Sequence, residues 1–167
     1  MRILGIDPGF DATGYGIIDE NKGAFLLVEA GVIKTSSKEE IQLRLTKIYK
    51  GVKELIRIYK PKTLVLEELY SHYKHPVTAI LMGHGRGVIC LAGGEMKLPL
   101  ISYPAKRIKK AVTGNGNASK EQVQRMVQRI LGLSQTAIPF DVTDALAAAI
   151  AHSYVKRAAI NDISYLR

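Results

Sequence analysis

Tryptophan is absent from these 167 residues, cysteine occurs once, and aromatic residues make up only 7% of the chain. A single thiol, Cys90, excludes an internal disulfide and any cysteine-based zinc cage, and it fits a reducing, cytoplasmic compartment. No stretch approaches the run of about 18 apolar residues that a membrane span needs, so a membrane partner is not expected. The N-terminus enters a strand pattern at once, without a basic segment, apolar stretch and small-residue cleavage site, so export is not expected either. Internal repeats and low-complexity tracts are missing too, which excludes a solenoid or a disordered tail protein. Acid is the scarcest of the charged types: 15 Asp and Glu stand against 24 Lys and Arg, for a net charge of +9.

What is present is a chain long enough for one well-buried core and too short for two ordinary domains. Hydrophobic residues at 47% and charged residues at 23% are those of a soluble globular protein. The positive excess favours a polyanionic partner through phosphate contacts and counterion release. Its distribution is uneven: between residues 104 and 131, Lys106, Arg107, Lys109, Lys110, Lys120, Arg125 and Arg129 face Glu121 alone.

Residues 2 to 7, 13 to 20 and 25 to 34 are short apolar or alternating runs bounded by Gly, Asp and Asn, which predicts a three-stranded meander. A capping box at Ser37 and Glu40 opens a helix whose Ile41, Leu45, Ile48, Val52, Leu55, Ile56 and Tyr59 share a face, and Pro61 stops it. Arg44, Lys47, Lys50, Lys53 and Arg57 fall on its outer, solvated side. "KTLVLEELY" predicts a fourth strand and "LPLISY" a fifth. Between them, "TAILMGHGRGVICLAGGEM" is apolar nearly all round, with Gly83 and Gly87 one turn apart, which suits a helix packed against other protein. A second capping box, Ser119 to Gln122, opens a helix that Gly132 ends, and a last helix runs from about Asp141 to Lys156. Helices interleaved with strands in this order predict a three-layer α/β protein with a mixed sheet. Residues 1–156 form its one domain, and "RAAINDISYLR", residues 157–167, a C-terminal tail.

Four acids fall where this architecture would gather them. Asp7 closes strand one, Glu67 or Glu68 closes strand four, and Asp141 and Asp144 share one side of the last helix. Adjacent strand residues point to opposite faces, so one of Glu67 and Glu68 at most faces the site, and periodicity does not choose between them. Oxygen clusters of this kind bind hard divalent cations. Taken singly, Asp141 and Asp144 also suit a helix cap and first turn, and Asp7 before Pro8 and Gly9 suits an ordinary turn. A strand-end acid beside Leu4 and Ile6, however, needs a partner.

In family order and nearly family spacing, "GIDPGFDATGYGII", "LVLEELY", "GHGRGV", "AKRIKKAVTGNGNASKEQVQ" and "DVTDALAAAIAH" resemble the RuvC-type Holliday-junction resolvases, members of the ribonuclease H-like superfamily. The resemblance implies a five-stranded mixed sheet with strand two antiparallel and helices on both faces. It selects Glu67 over Glu68 and implies catalytic, metal-binding roles for Asp7, Glu67, Asp141 and Asp144. Two Mg²⁺ ions, replaceable by Mn²⁺, a homodimer, four-way junction DNA as substrate, symmetric nicks, and the branch-migration proteins RuvA and RuvB as partners are implied with it.

Lys109 and Lys120 align with basic positions near the scissile phosphate, and Lys106, Arg107 and Lys110 are expected as more distant phosphate contacts. Tyr70, at a position where the family carries an aromatic, and beside it Tyr73 and Lys74 are expected to bind DNA, the rings stacking on unpaired bases. His72 and His75 lack companion ligands for a zinc site, and "GHGRG" lacks the strand and Gly-Lys-Ser/Thr ending of a phosphate loop. The rival classes are a lobe of an actin-type ATPase and a catalytically silent nucleic-acid binder. The first needs two such lobes, and the second leaves four carboxylates facing phosphate without a cation.

Overall fold

Alternation along the first strand decides how the layers assemble. In the computed structural model, β1 (Arg2–Asp7) points Ile3 to one side of the sheet and Leu4 and Ile6 to the other, all fully buried. The structure describes residues 1–69, 76–133 and 138–164, with side chains to residue 159. β2 (Ala12–Asn21) and β3 (Ala24–Lys34) follow as an antiparallel meander joined by a two-residue turn at Lys22 and Gly23, both at positive φ. β4 (Thr63–Glu67) and β5 (Leu100–Tyr103) add in parallel on the far side of β1, giving the order β3-β2-β1-β4-β5.

Helices cover both faces, as expected. On one side α1 (Ile41–Tyr59) and α2 (Pro76–Glu95) pack Ile48, Val52, Leu55, Ile89 and Ala92 on Leu4, Ile6, Ile17, Leu64 and Leu66. On the other, α3 (Ala105–Thr113), α4 (Lys120–Leu131) and α5 (Phe140–Ser164) bury Ile108, Val112, Val123, Val127, Leu146 and Ile150 against Ile3, Ile18 and Val65.

Several expectations are corrected. The Ser37–Glu40 capping box does not form: Glu40 itself is the N-cap of α1, without a side-chain cap bond. Ser36 is used one residue earlier, where its amide donates to Glu39 Oε2 at 3.2 Å. The Ser119–Gln122 box does form, with both reciprocal bonds, and Gly132 caps α4 at φ 63°. The short helix α3 carries little sequence signal, because only Ile108 and Val112 of its nine residues are buried and the rest read as a basic run. Helix α5 continues to Ser164, past the expected end at Lys156, since Arg157, Ala158 and Ala159 keep helix-favouring composition. Arg44 does not lie on a solvated face; it is 6% exposed. Ile41, expected on the buried face, is 42% exposed.

Helix α2 corrects the reading of hydrophobic runs. By length and composition it is apolar enough to cross a membrane, at mean hydropathy 1.3 over its best window. In the fold it forms part of a layer: Gly85, Ile89, Ala92 and Gly93 face the sheet, while Val77, Ile80 and Leu91 stay exposed.

Candidate active site

The sheet's alternation agrees with the choice of Glu67 that periodicity alone left open. Val65 points to the α5 side, so Glu67, two residues on, points there as well and Glu68 points away and is exposed. The same parity carries Ile3 and Gly5 to Asp7, which ends β1 on the α5 side. Two strand-end carboxylates therefore meet the helix that carries the other two.

Glycine lets that helix come close enough. A Cβ on Gly5 would lie 2.0 Å from the Ala145 carbonyl oxygen, and one on Gly14, the cross-strand partner of Asp7, would lie 2.0 Å from that of Asp141. α5 thus rests directly on the backbone of β1 and β2, and its first two turns deliver Asp141 and Asp144 to the strand ends. Any side chain at either glycine would force the helix outward.

A cleft of about 370 Å³ results, lined by Asp7, Glu67, Asp141 and Asp144 together with Lys109 and Lys120. Pro8, Gly9, Met82, Ile108 and Val123 complete much of the wall. The electrostatics are those of crowded carboxylates. Burial, followed by repulsion from Asp144, Glu67 and Asp141, pushes Asp7 up to about 7 against the opposing pull of Lys120. Burial and then Asp144 raise Glu67, with Lys120 and Lys109 opposing. Asp144 is also raised, chiefly by burial, even though Lys120 Nζ stands 3.3 Å from its Oδ2. Burial alone would lower Lys120, but Asp144, Asp7 and Asp141 outweigh it and hold the ammonium form.

All four donors are carboxylate oxygens, the type that hard divalent cations take. They share the cleft but are not drawn into a closed cage: among the described residues, no three Asp, Glu, His or Cys side chains converge closely enough to hold an ion. Carboxylates that repel one another, with an ammonium on one of them, have no reason to close together without a cation. The donor set fits a divalent metal in type and in location.

The basic residues divide. Lys109 and Lys120 line the cleft, Lys109 Nζ donating to the Ala118 carbonyl at 2.8 Å. Lys106, Arg107 and Lys110 are exposed on α3 and do not line it; Arg107 lies 5.2 Å above the Tyr103 ring. Tyr70, Tyr73 and Lys74, like His72 and His75, lie outside the described residues. Met82, which α2 brings to the cleft, had no signal in the sequence beyond belonging to an apolar run.

A mixed sheet in this order, with β2 antiparallel and acids at the ends of β1 and β4 and in the first turns of a helix laid across them, defines a ribonuclease H-like α/β protein with a nuclease-type acid cleft. Within that class the chain belongs to the RuvC family, whose sequence model, Crossover junction endodeoxyribonuclease RuvC, matches residues 3–152. A relative of that name from Rhodopirellula baltica is 44% identical over 153 residues, covering 92% of this chain and 86% of its own. The solved structure of Thermus thermophilus RuvC superposes with a TM-score of 0.87 at 33% identity, covering 95% of this chain and 97% of that one. The same protein in complex with a Holliday junction substrate gives a TM-score of 0.89 at 32% identity, covering 95% and 96%.

Proposed function

We propose that this chain is a structure-selective endodeoxyribonuclease that resolves Holliday junctions by paired symmetric nicks, in recombination and DNA repair. The observation that carries the reading is the single cleft holding Asp7, Glu67, Asp141 and Asp144 beside Lys109 and Lys120, in a chain of the RuvC family. The four acids would hold two Mg²⁺ ions, with Mn²⁺ as a substitute; such a pair supplies an activated water and charge stabilisation for in-line displacement at phosphorus. Hydrolysis adds water across the P–O3′ bond, leaving a 5′-phosphate and a 3′-hydroxyl.

The chain's own residues bind and orient. Asp7 and Glu67 fix the strand-end side of the ligand set, and Asp141 and Asp144 the helix side. Lys120, held as an ammonium beside Asp144, and Lys109 neutralise the phosphate backbone as it enters. Lys106, Arg107 and Lys110 extend that track over α3 as phosphate contacts. Tyr70 and Tyr73, which follow Glu67 in the chain, stack on bases opened at the branch point, with Lys74 beside them.

A homodimer completes the reading. Val77, Ile80 and Leu91 of α2 are exposed, and a Cβ at Gly83, Gly87 or Gly94 would meet nothing within 4 Å, so α2 offers a smooth apolar face to a second copy. Two copies give two clefts for the two strands cut. RuvA and RuvB are the proposed partners in moving the branch point, and the cytoplasm is the proposed location. The test is a synthetic four-way junction incubated with and without Mg²⁺. Paired nicks at symmetric positions, dependent on the metal and absent from linear duplex, are expected; no nicks with Mg²⁺ or Mn²⁺, or equal cutting of linear duplex, would overturn the reading.

A further inference from the structure

Arg44 belongs to none of the roles above, and its setting is unlike that of the other cations on α1. Lys47, Lys50 and Arg57 are exposed, whereas the Arg44 side chain is buried and turned toward the loop between β1 and β2. Its Nε donates to Thr35 Oγ1 at 3.0 Å and its Nη2 to the Phe10 carbonyl at 3.3 Å, and Nη2 also pairs with the Asp11 carboxylate. The guanidinium carbon lies 3.9 Å above the Phe10 ring. Burying a charged fork is costly unless its donors are met, and an aliphatic residue over Phe10 would avoid that cost.

What the fork grips is the turn that leaves Asp7. In that turn the Gly9 amide donates to the Asp7 carbonyl at 2.9 Å, and Thr13 Oγ1 donates to the Gly9 carbonyl at 2.6 Å. Thr35 Oγ1 donates to the Phe10 carbonyl at 2.7 Å, and the Thr35 amide to the Asp11 carbonyl at 2.9 Å. Asp7, Pro8 and Gly9 line the acid cleft, but Arg44 does not. Within this network Arg44 carries hydrogen bonds from α1 to the turn, and the Phe10 ring beneath it is sealed into the core near Gly85 of α2.

We propose that Arg44 is a positioning residue for the reaction: by clamping the Gly9–Asp11 turn it fixes where the Asp7 carboxylate and the Gly9 wall stand in the cleft. The proposal rests on the reading of Asp7 as a cation ligand. Arg44 touches none of the four cleft acids and does not line the cleft, so its removal changes the placement of a ligand and leaves the DNA-contacting surface as it was. Residues that orient a ligand from behind typically control metal affinity or turnover by roughly 10–100-fold.

The test substitutes Arg44→Lys, which keeps the charge but loses the planar fork. Three quantities are measured below the melting transition: the Mn²⁺ binding midpoint of DNA-free protein by calorimetry, junction affinity in EDTA, and the single-turnover cleavage rate with saturating metal. The expected result is a Mn²⁺ midpoint weakened by about tenfold or more, a slower cleavage rate and an unchanged junction affinity. A lower melting temperature with wild-type midpoint and rate would make Arg44 merely structural and overturn the proposal, as would a parallel loss of junction affinity. Should Arg44→Lys fail to fold, Thr35→Val, which cuts the hydroxyl link between Arg44 and the Phe10 carbonyl, is put through the same measurements with the same expected and overturning results. Wild-type protein that binds Mn²⁺ yet cuts no junction would sink the proposed function and leave the Mn²⁺ comparison intact; wild-type protein that binds no Mn²⁺ would sink both.

Discussion

Replacing Asp7 by Asn should make the metal-free protein more stable above pH 7. Asp7 is held near pH 7 in the folded chain, chiefly by burial and then by Asp144, Glu67 and Asp141, against an ordinary value of 3.8. A carboxyl raised in this way binds its proton more tightly folded than unfolded. Its contribution is therefore fully present below about pH 4 and is lost as pH rises through about 7. At pH 8 the ionised Asp7 costs at most on the order of 4 kcal/mol, taking about 1.4 kcal/mol per tenfold change in proton affinity. Asn, uncharged, escapes that cost. For a chain of this size about 2–4 °C accompanies each kcal/mol, so Asp7→Asn should melt roughly 5–15 °C higher than wild type at pH 8 in EDTA.

The gap should close as the pH falls toward 4. His152, whose protonation burial disfavours, has the opposite sign: its contribution is present above its ordinary value and is lost as pH falls. It acts equally in both proteins, so the difference between them reports Asp7 together with its coupling to Asp144, Glu67, Asp141 and Lys120. Thermal melts of the pair from pH 4 to pH 8, with and without Mg²⁺, are the assay. Mg²⁺ should raise wild type strongly and the variant weakly, because binding to the folded state alone adds stability. A variant no more stable than wild type in EDTA at pH 8, or a gap independent of pH, would refute the crowded-carboxylate account.

Glu67→Gln should abolish junction cleavage while a gel-shift assay in EDTA shows binding retained, and Glu68→Gln, on the outward face of the chain, should cut at the wild-type rate; equal losses in both would mean the strand parity is misassigned. Gly5→Ala should cost about 3 kcal/mol or more by urea denaturation, because the new methyl meets the Ala145 carbonyl at 2.0 Å and the Ala149 Cβ at 3.1 Å; a loss below about 1 kcal/mol would show that α5 can lift off β1 freely. Tyr103→Phe removes the partner of His152 Nδ1, a buried bond of 2.9 Å that ties the end of β5 to α5, and should cost about 1–3 kcal/mol in the same assay.

The parts of this molecule that were legible beforehand are those written in a local period or in punctuation. Strand β1 ends at Asp7 as expected, and the Ser119 box and Gly132 bound α4 as expected. That Asp7, Glu67, Asp141 and Asp144 would be gathered was legible from their chain positions, but the geometry of the cleft they line was not. Glu67 and Glu68 are equivalent to any periodic reading; the family resemblance selects Glu67, and the packing of Val65 on the α5 side agrees with it. The close approach of α5 is written in Gly5 and Gly14, which a strand pattern registers merely as weak strand formers. Arg44 misled because a helical wheel sorts by residue type, while its burial depends on Phe10, Asp11 and Thr35, far away in sequence. The α1 cap failed for a similar reason: Ser36, Ser37, Glu39 and Glu40 offer competing boxes, and the chain's path from β3 selects among them.

The central claim is that acids from β1, β4 and α5 form one divalent-cation site. A crystal grown with Mn²⁺ and measured at the manganese absorption edge tests it most directly. The account predicts anomalous density inside the cleft within coordination distance of Asp7 and of at least one acid of α5. Manganese found only elsewhere on the surface, or a cleft that stays empty at saturating Mn²⁺, would contradict it.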